Sequence, residues 1–410
     1  MNNLCRFCQN PLKHTFVDLG MSPVSNDYID PTKADEMEPF YPLRTYVCEQ
    51  CLLVQLPSYQ KREEIFTNQY AYFSSFSTSW LQHAKEYANM MMKRLGLGSD
   101  SLVVELASND GYLLQYFKEQ NVPVLGVEPC QNVAEAAEKI GIPTLVKFFG
   151  VETAKEMLMN GNGADLLLGN NVLAHVPDLN DFVAGMKILL KESGVITIEF
   201  PHLMSLMKHN QFDTIYHEHF SYFSLLAVEK VFARHGFTIF DVEQLSTHGG
   251  SLRIFARHTE NNSLPVTARV QDLHEREKQF GLHDLATYSS WASQVYELKR
   301  TFLQWICEEK NSGKIIVGYG APAKGNTFLN YCGVRSDLID YTVDKSPHKQ
   351  NHLLPGTRIP IYDPEKIRKT KPDYVLILPW NLQDEIAQQM DYIREWGGKF
   401  VVAIPEIKVF

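Results

Sequence analysis

A chain of 410 residues is too long for one ordinary hydrophobic core, and its 44% hydrophobic and 21% charged make-up is that of a soluble globular protein of two or three domains. A formal net charge of −9 argues against a general nucleic-acid binder, which needs a basic face for phosphates. Apolar runs such as "YVLILPW" are far shorter than the ~20 residues of a membrane helix, and the start "MNNLCRFCQN" is polar. The expectation is therefore a cytoplasmic protein with no membrane or nucleic-acid partner, whose seven cysteines stay reduced.

Two cysteine pairs come first in the chain, Cys5-x-x-Cys8 and Cys48-x-x-Cys51. Two-residue spacing lets both thiolates of a knuckle reach one tetrahedral ion, and two knuckles complete a four-cysteine zinc site. Four thiolates leave no open coordination position, so the metal is expected to be structural. The bland alternative is two unrelated pairs of buried thiols. Cys130, Cys307 and Cys332 are isolated and read as core.

A helix is expected over "STSWLQHAKEYANMMMKRLG". Short apolar runs then alternate with helical patterns from "SLVVELA" to "VITIEFP", which predicts a mainly parallel sheet covered by helices. In "VVELASNDGYLL", Glu105 lies in the strand, and Ser108, Asn109, Asp110 and Gly111 form the turn at its carboxyl end, where open α/β sheets bind ligands. The next strand ends in Glu128-Pro129, which places an acid in position to accept from both ribose hydroxyls. Asn170, Asn171 and His175 leave the strand after that. A single glycine beside an acid suits pyrophosphate poorly. It suits a ligand carrying an ammonium and a sulfonium, S-adenosylmethionine. The competing reading is a helix-capping turn at Asn109 or Asp110.

"DTIYHEHFSYFS" brings Tyr216, His217, Glu218 and His219 together. A metal site is the weaker reading, because residues one and two apart share no helical face. His217 reads as structural, and Phe220, Tyr222 and Phe223 as core or pocket wall. His248 in "THGGSLRIF" reads either as pocket lining or as part of a hairpin. One or two long helices are expected from about residue 266 to 311. A second alternating block follows, in which Gly318-x-Gly320-x-x-Ala323 with Asp344 some 20 residues on matches a dinucleotide fingerprint. On that motif alone the rival function is a zinc-containing, NAD-dependent nucleotide-sugar dehydrogenase.

The two cysteine pairs, "YAYFSSFS", "ELASNDG", "YHEHFSYFS", "HGGSLRIF" and "GYGAPAKGNTFLN" occur in this order across nearly the whole chain. Together they resemble the nucleotide-sugar C-methyltransferases, which methylate C3 of 4-keto deoxysugars. The resemblance implies an α/β protein: a zinc-binding domain at 1–65, a class I methyltransferase domain with a Rossmann-like sheet at 66–262, and a helical linker with a Rossmann-like nucleotide-sugar domain at 263–410. It implies S-adenosylmethionine and structural Zn2+ as cofactors and a nucleotide-diphosphate 4-keto deoxysugar as substrate; a monomer is expected. By the same resemblance His219 is the base, Glu218 its adjacent acid, Tyr216 and Tyr70 active-site tyrosines, and His175 the second histidine. Tyr72, Tyr222, Gly320, Ala321, Lys324 and Asn326 are the expected substrate contacts.

Overall fold

The structure is a computed structural model and describes residues 4–66, 70 and 72–410. Three sheets follow one another along the chain, yet they are interleaved in space. The first has four strands, in the order His14–Ser22, Tyr41–Val47, Val54–Gln55 and Ser221–Tyr222. Its last strand comes from the "YHEHFSYFS" stretch: Val54 pairs with Tyr222 and Gln55 with Ser221. The N-terminal sheet is therefore not self-contained.

The second sheet has seven strands, ordered Phe237–Leu245, Ser251–His258, Leu190–Pro201, Ala164–Asn170, Val103–Leu106, Val124–Val127 and Thr144–Leu145. Six run in the same direction, five of them paired in parallel, and Ser251–His258 runs antiparallel between its two neighbours. Val103 to Leu106 are buried on both faces, as a strand covered by helices on each side requires. This is the expected class I methyltransferase arrangement. Thr78–Leu95 lies against it, capped by the Ser77 hydroxyl at Trp80 N and ended by Gly96 in the left-handed region (φ 62°).

The third sheet runs Ile361–Tyr362, Thr342–Val343, Ile316–Tyr319, Tyr374–Ile377, Lys399–Val402 and Lys408–Val409, parallel except for the last strand. Helices Ala268–Phe280 and Leu285–Asn311 bridge the second and third sheets. The longer one also covers the N-terminal sheet: Trp291 stacks on Phe16 at 4.6 Å between ring centroids. That contact buries two large aromatics in a core shared by the N- and C-terminal parts. No helix among the described residues is long and apolar enough to cross a membrane.

Candidate active site

The cysteine knuckles are built alike. Cys5 N donates to Asn10 O and Gln9 N to Cys5 O; Cys48 N donates to Leu53 O and Leu52 N to Cys48 O. Gln9 and Leu52, each just after the second cysteine of its pair, both adopt φ 62°. The four sulfurs lie within 4.8 Å of one another, and the Cys5–Cys51 and Cys8–Cys48 pairs are 3.5 Å apart. Tetrahedral Zn–S bonds of ~2.3 Å would set sulfurs ~3.8 Å apart, so the four thiols fit a zinc ion. Gln55, on the strand that pairs with Ser221–Tyr222, donates Nε2 to Cys5 Sγ at 3.2 Å. The metal centre and the histidine stretch are thus joined through one short strand.

A cavity of about 710 Å3 opens between the carboxyl ends of the second sheet, the histidine stretch and the C-terminal loops. It is bordered by Tyr70, Tyr72, Asn109, Glu128, Pro129, Asn170, Asn171, His175, Tyr216, Glu218, His219 and Lys324, all expected site residues.

His219 is fixed at both ring nitrogens. Nδ1 lies 2.9 Å from the Thr214 carbonyl, which only accepts, so Nδ1 carries the proton. Nε2 is then bare and accepts the Tyr216 hydroxyl at 2.8 Å. Burial, followed by the nearby His175 ring, holds the imidazole well below its usual range and so neutral at pH 7. His175 meets it edge-on at 4.6 Å and is itself pushed down to about 4 by burial. Glu218 accepts Asn26 Nδ2 at 2.6 Å and the Tyr70 hydroxyl at 3.4 Å. Burial raises its carboxyl to about 7. His217 turns the other way, towards the Pro42 carbonyl and the rings of Tyr41 and Tyr59, and belongs to the N-terminal core.

In the cofactor crevice, Glu128 is held by two backbone N–H groups, Asn109 N at 3.1 Å and Cys130 N at 2.9 Å, one on each oxygen. Each oxygen keeps a second lone pair for a ribose hydroxyl, and Asn109, Pro129, Phe148 and Phe149 complete that end of the cavity. Burial raises the Glu128 carboxyl. These residues fit S-adenosylmethionine. The side chains of Asn109 and Asp110 do something the sequence did not suggest. Asn109 Oδ1 accepts Ser74 N, its Nδ2 reaches Tyr72 O, and Asp110 Oδ2 accepts Ser75 N. The turn therefore pins the "YFSS" segment over the crevice.

Several expected contacts lie off the cavity. Glu105 is fully buried beneath the turn, and Ser108 packs under Gly126. Gly111 is there for its φ of 77° and for close packing, since a Cβ would come 2.9 Å from Ile142. Tyr222 backs the His219 ring from behind, at 6.1 Å. The Gly320 and Ala321 backbone N–H groups are already committed, to Val343 O and Asp344 Oδ2, and cannot cradle a diphosphate. Asp344 also accepts Ser346 N, so the acid of the dinucleotide fingerprint is occupied by its own loop. Asn326 is wholly buried in its helix.

Sequence reasoning missed Asn26, Lys349, Asn381, Trp80 and His83, all of which border the cavity. Lys349 is held by Ala321 O at 3.1 Å and by Asp344 at 3.6 Å, and Lys324 donates to Asn381 Oδ1 at 2.8 Å. Trp380 Nε1 donates to Asp213 Oδ2 at 2.7 Å, tying the C-terminal domain to the start of the histidine stretch.

Comparison with known families fits this geometry. Residues 5–66 match the model described as "Putative zinc binding domain", 80–242 "Methyltransferase domain", and 246–405 "C-methyltransferase C-terminal domain". The chain is 34% identical over 405 residues to the C-methyltransferase NovU of Streptomyces niveus, covering 99% of this chain and 96% of that protein. Among solved structures, the magnesium protoporphyrin IX methyltransferase of Synechocystis with bound S-adenosylhomocysteine overlaps 43% of this chain and 82% of its own, at 14% identity and a TM-score of 0.35. The 1,6-didemethyltoxoflavin-N1-methyltransferase of Burkholderia thailandensis overlaps 52% and 98%, at 18% identity and a TM-score of 0.36. Identity of that extent to NovU, together with the three family matches in order, places the chain in the C-methyltransferase family: it is an S-adenosylmethionine-dependent C-methyltransferase with an N-terminal zinc site.

Proposed function

We propose that the chain methylates C3 of a nucleotide-linked 4-keto deoxysugar through an enolate, with His219 as the base. The observation that carries this reading is the buried, neutral His219, locked with Nε2 bare, on the same cavity as Glu128 and the C-terminal lysines. Carbon at C3 of a plain sugar is not nucleophilic. A ketone at C4 makes its proton acidic, and His219 Nε2 takes that proton while the electron pair moves to the C4 oxygen. The bound donor supplies an electrophilic methyl group. C3 would attack it, the new C–C bond forming as the S–CH3 bond breaks and its electron pair stays on the sulfur of the departing S-adenosylhomocysteine, and the C4 ketone returns.

Nε2 has one lone pair, so the Tyr216 hydroxyl must first turn from it to the C4 oxygen as the sugar binds; this frees Nε2 for the C3 proton and gives the developing oxyanion a donor. Glu218 and Tyr70 orient the substrate from the N-terminal side. Lys324 and Lys349, rather than the backbone of the glycine loop, supply positive charge for the diphosphate. The chain acts as a monomer of three parts, 1–65, 66–262 and 263–410, the first borrowing the strand Ser221–Tyr222 from the second.

The test is incubation with S-adenosylmethionine and a panel of 4-keto nucleotide sugars, read by mass spectrometry for the gain of one methyl. His219→Ala should lose roughly 10²–10⁴ in turnover while still binding S-adenosylhomocysteine. In D2O, with S-adenosylhomocysteine bound, wild type should place deuterium at C3 and the variant should not. Near-normal exchange by His219→Ala would move the base to another residue.

A further inference from the structure

His248 takes no part in the chemistry above, yet its backbone is held in an unfavourable shape at the cavity wall. It lies in the turn between strands Phe237–Leu245 and Ser251–His258, where three successive residues are left-handed: His248 at φ 53°, Gly249 at φ 89° and Gly250 at φ 121°. Glycine adopts this region at little cost; a side chain with a Cβ does not. A hairpin alone would be better served by Asn or Gly at 248. The conformation is imposed from several sides. Gln211 Nε2 donates to Gly249 O at 2.7 Å, and His202 N donates to Gly250 O at 3.0 Å. Trp380 packs so closely that a Cβ on Gly249 would lie 2.3 Å from its ring. Strain that the surroundings over-determine is a mark of functional positions.

The ring is seated as deliberately as the backbone. Trp80 meets it edge-on at 4.9 Å, and Asn171 Nδ2 lies 2.7 Å from Nε2. With the Asn171 amide in this orientation its nitrogen donates, Nε2 accepts, and the neutral ring carries its proton on Nδ1. No described residue pairs with Nδ1, and the ring borders the cavity. Burial, with the Lys324 charge second, pushes its pKa down to about 4, which keeps the ring neutral.

We propose that His248 donates its Nδ1–H to an oxygen of the acceptor sugar, between His219 and Lys324, and so fixes which carbon of the ring faces the base. The proposal rests on the reading of the acceptor as a nucleotide-linked keto sugar. The donor stands on the hairpin of the second sheet, apart in the chain from Glu218 and Tyr70 but on the same cavity.

The test combines kinetics with NMR. With S-adenosylmethionine saturating and a dTDP-linked 4-keto-6-deoxyhexose as acceptor, His248→Ala should lower kcat/KM roughly 10- to 100-fold, mostly through KM, the worth of one hydrogen bond to a ligand. Calorimetric affinity for S-adenosylhomocysteine should stay within about twofold of wild type. His248→Asn tolerates the left-handed backbone and keeps an N–H near the Nδ1 position, and should recover most of the loss. Should His248→Ala fail to fold, His248→Gly removes donor and backbone cost together and carries the same comparison. In 15N-histidine-labelled protein, the signal missing from His248→Asn should be that of an Nδ1–H tautomer. The proposal is overturned by an Nε2–H tautomer, by kcat/KM within twofold of wild type, or by a parallel loss of S-adenosylhomocysteine affinity. If wild type methylates no keto sugar in the panel, the reading of the acceptor fails, and the tautomer alone decides whether His248 presents its N–H to the cavity.

Discussion

Glu218→Gln should make the protein more stable and less active, and the gain in stability should depend on pH. Burial raises the Glu218 carboxyl from 4.5 to about 7. Its folded value lies above its unfolded one, so the folded state holds the proton more tightly. Stability is therefore lost as pH rises from the unfolded value through the folded one, and the loss is complete above it. The gap amounts to roughly 3 kcal/mol at pH 8 and to less than about 1 kcal/mol at pH 5. Glutamine keeps the shape, still accepts from Asn26 Nδ2, and carries no charge to desolvate. For a chain of this size unfolding as one unit, 3 kcal/mol corresponds to about 4 °C in Tm. The assay is paired calorimetric melting of wild type and Glu218→Gln from pH 5 to pH 8.5, without ligand. The variant should melt higher at pH 8, with the difference shrinking towards pH 5, and its methyl transfer should fall. A variant that melts lower than wild type at pH 8, or whose offset is the same at every pH, would refute the reasoning.

Three further outcomes follow from the geometry. Cys8→Ser should drop bound zinc from about one per chain to well below that by elemental analysis, with a lower Tm, since one of four thiolates is lost. Glu128→Ala should weaken S-adenosylhomocysteine binding by about 10-fold or more in calorimetry, because the ribose acceptor is gone; unchanged binding would place the ribose elsewhere. Trp380→Phe strips Asp213 of its 2.7 Å donor and leaves a buried carboxylate oxygen unpaired. It should cost roughly 1–3 kcal/mol in denaturant unfolding, and hydrogen exchange should quicken at residues 379–382 and 247–250.

The elements that were legible in the sequence are those whose signal is local. Cysteine spacing shows the zinc knuckles because a tetrahedral ion dictates it. The strand, turn and helix around Ser108–Gly111 show the cofactor crevice because a parallel sheet always presents its strand ends there. What stayed hidden depends on distant partners. Asn26 meets Glu218 across 192 positions of sequence, and no periodicity announces it. Lys349 and Asn381 reach the cavity only because the third sheet folds back over the second. Gly320 and Ala321 were misread for an instructive reason: the loop looks like an anion cradle, but Asp344 supplies the anion itself. Tyr222 read from the sequence as core or pocket wall and, by the resemblance, as a substrate contact; it is core, its backbone a sheet strand and its ring behind that of His219.

That strand bears on the order in which the chain can fold during synthesis. Val54–Gln55 leaves the ribosome early, but its partner Ser221–Tyr222 is made more than 160 residues later. At ~5–20 residues per second the wait is roughly 10–30 s. For that interval the nascent zinc domain exposes an unpaired strand edge, a template for pairing with other chains. The edge is only two residues long, which limits the hazard. Once residues 221–222 arrive, the same pairing event closes the edge and seats the histidine stretch. Completion of the first domain and seating of the histidine stretch thus coincide, and the C-terminal wall of the cavity follows.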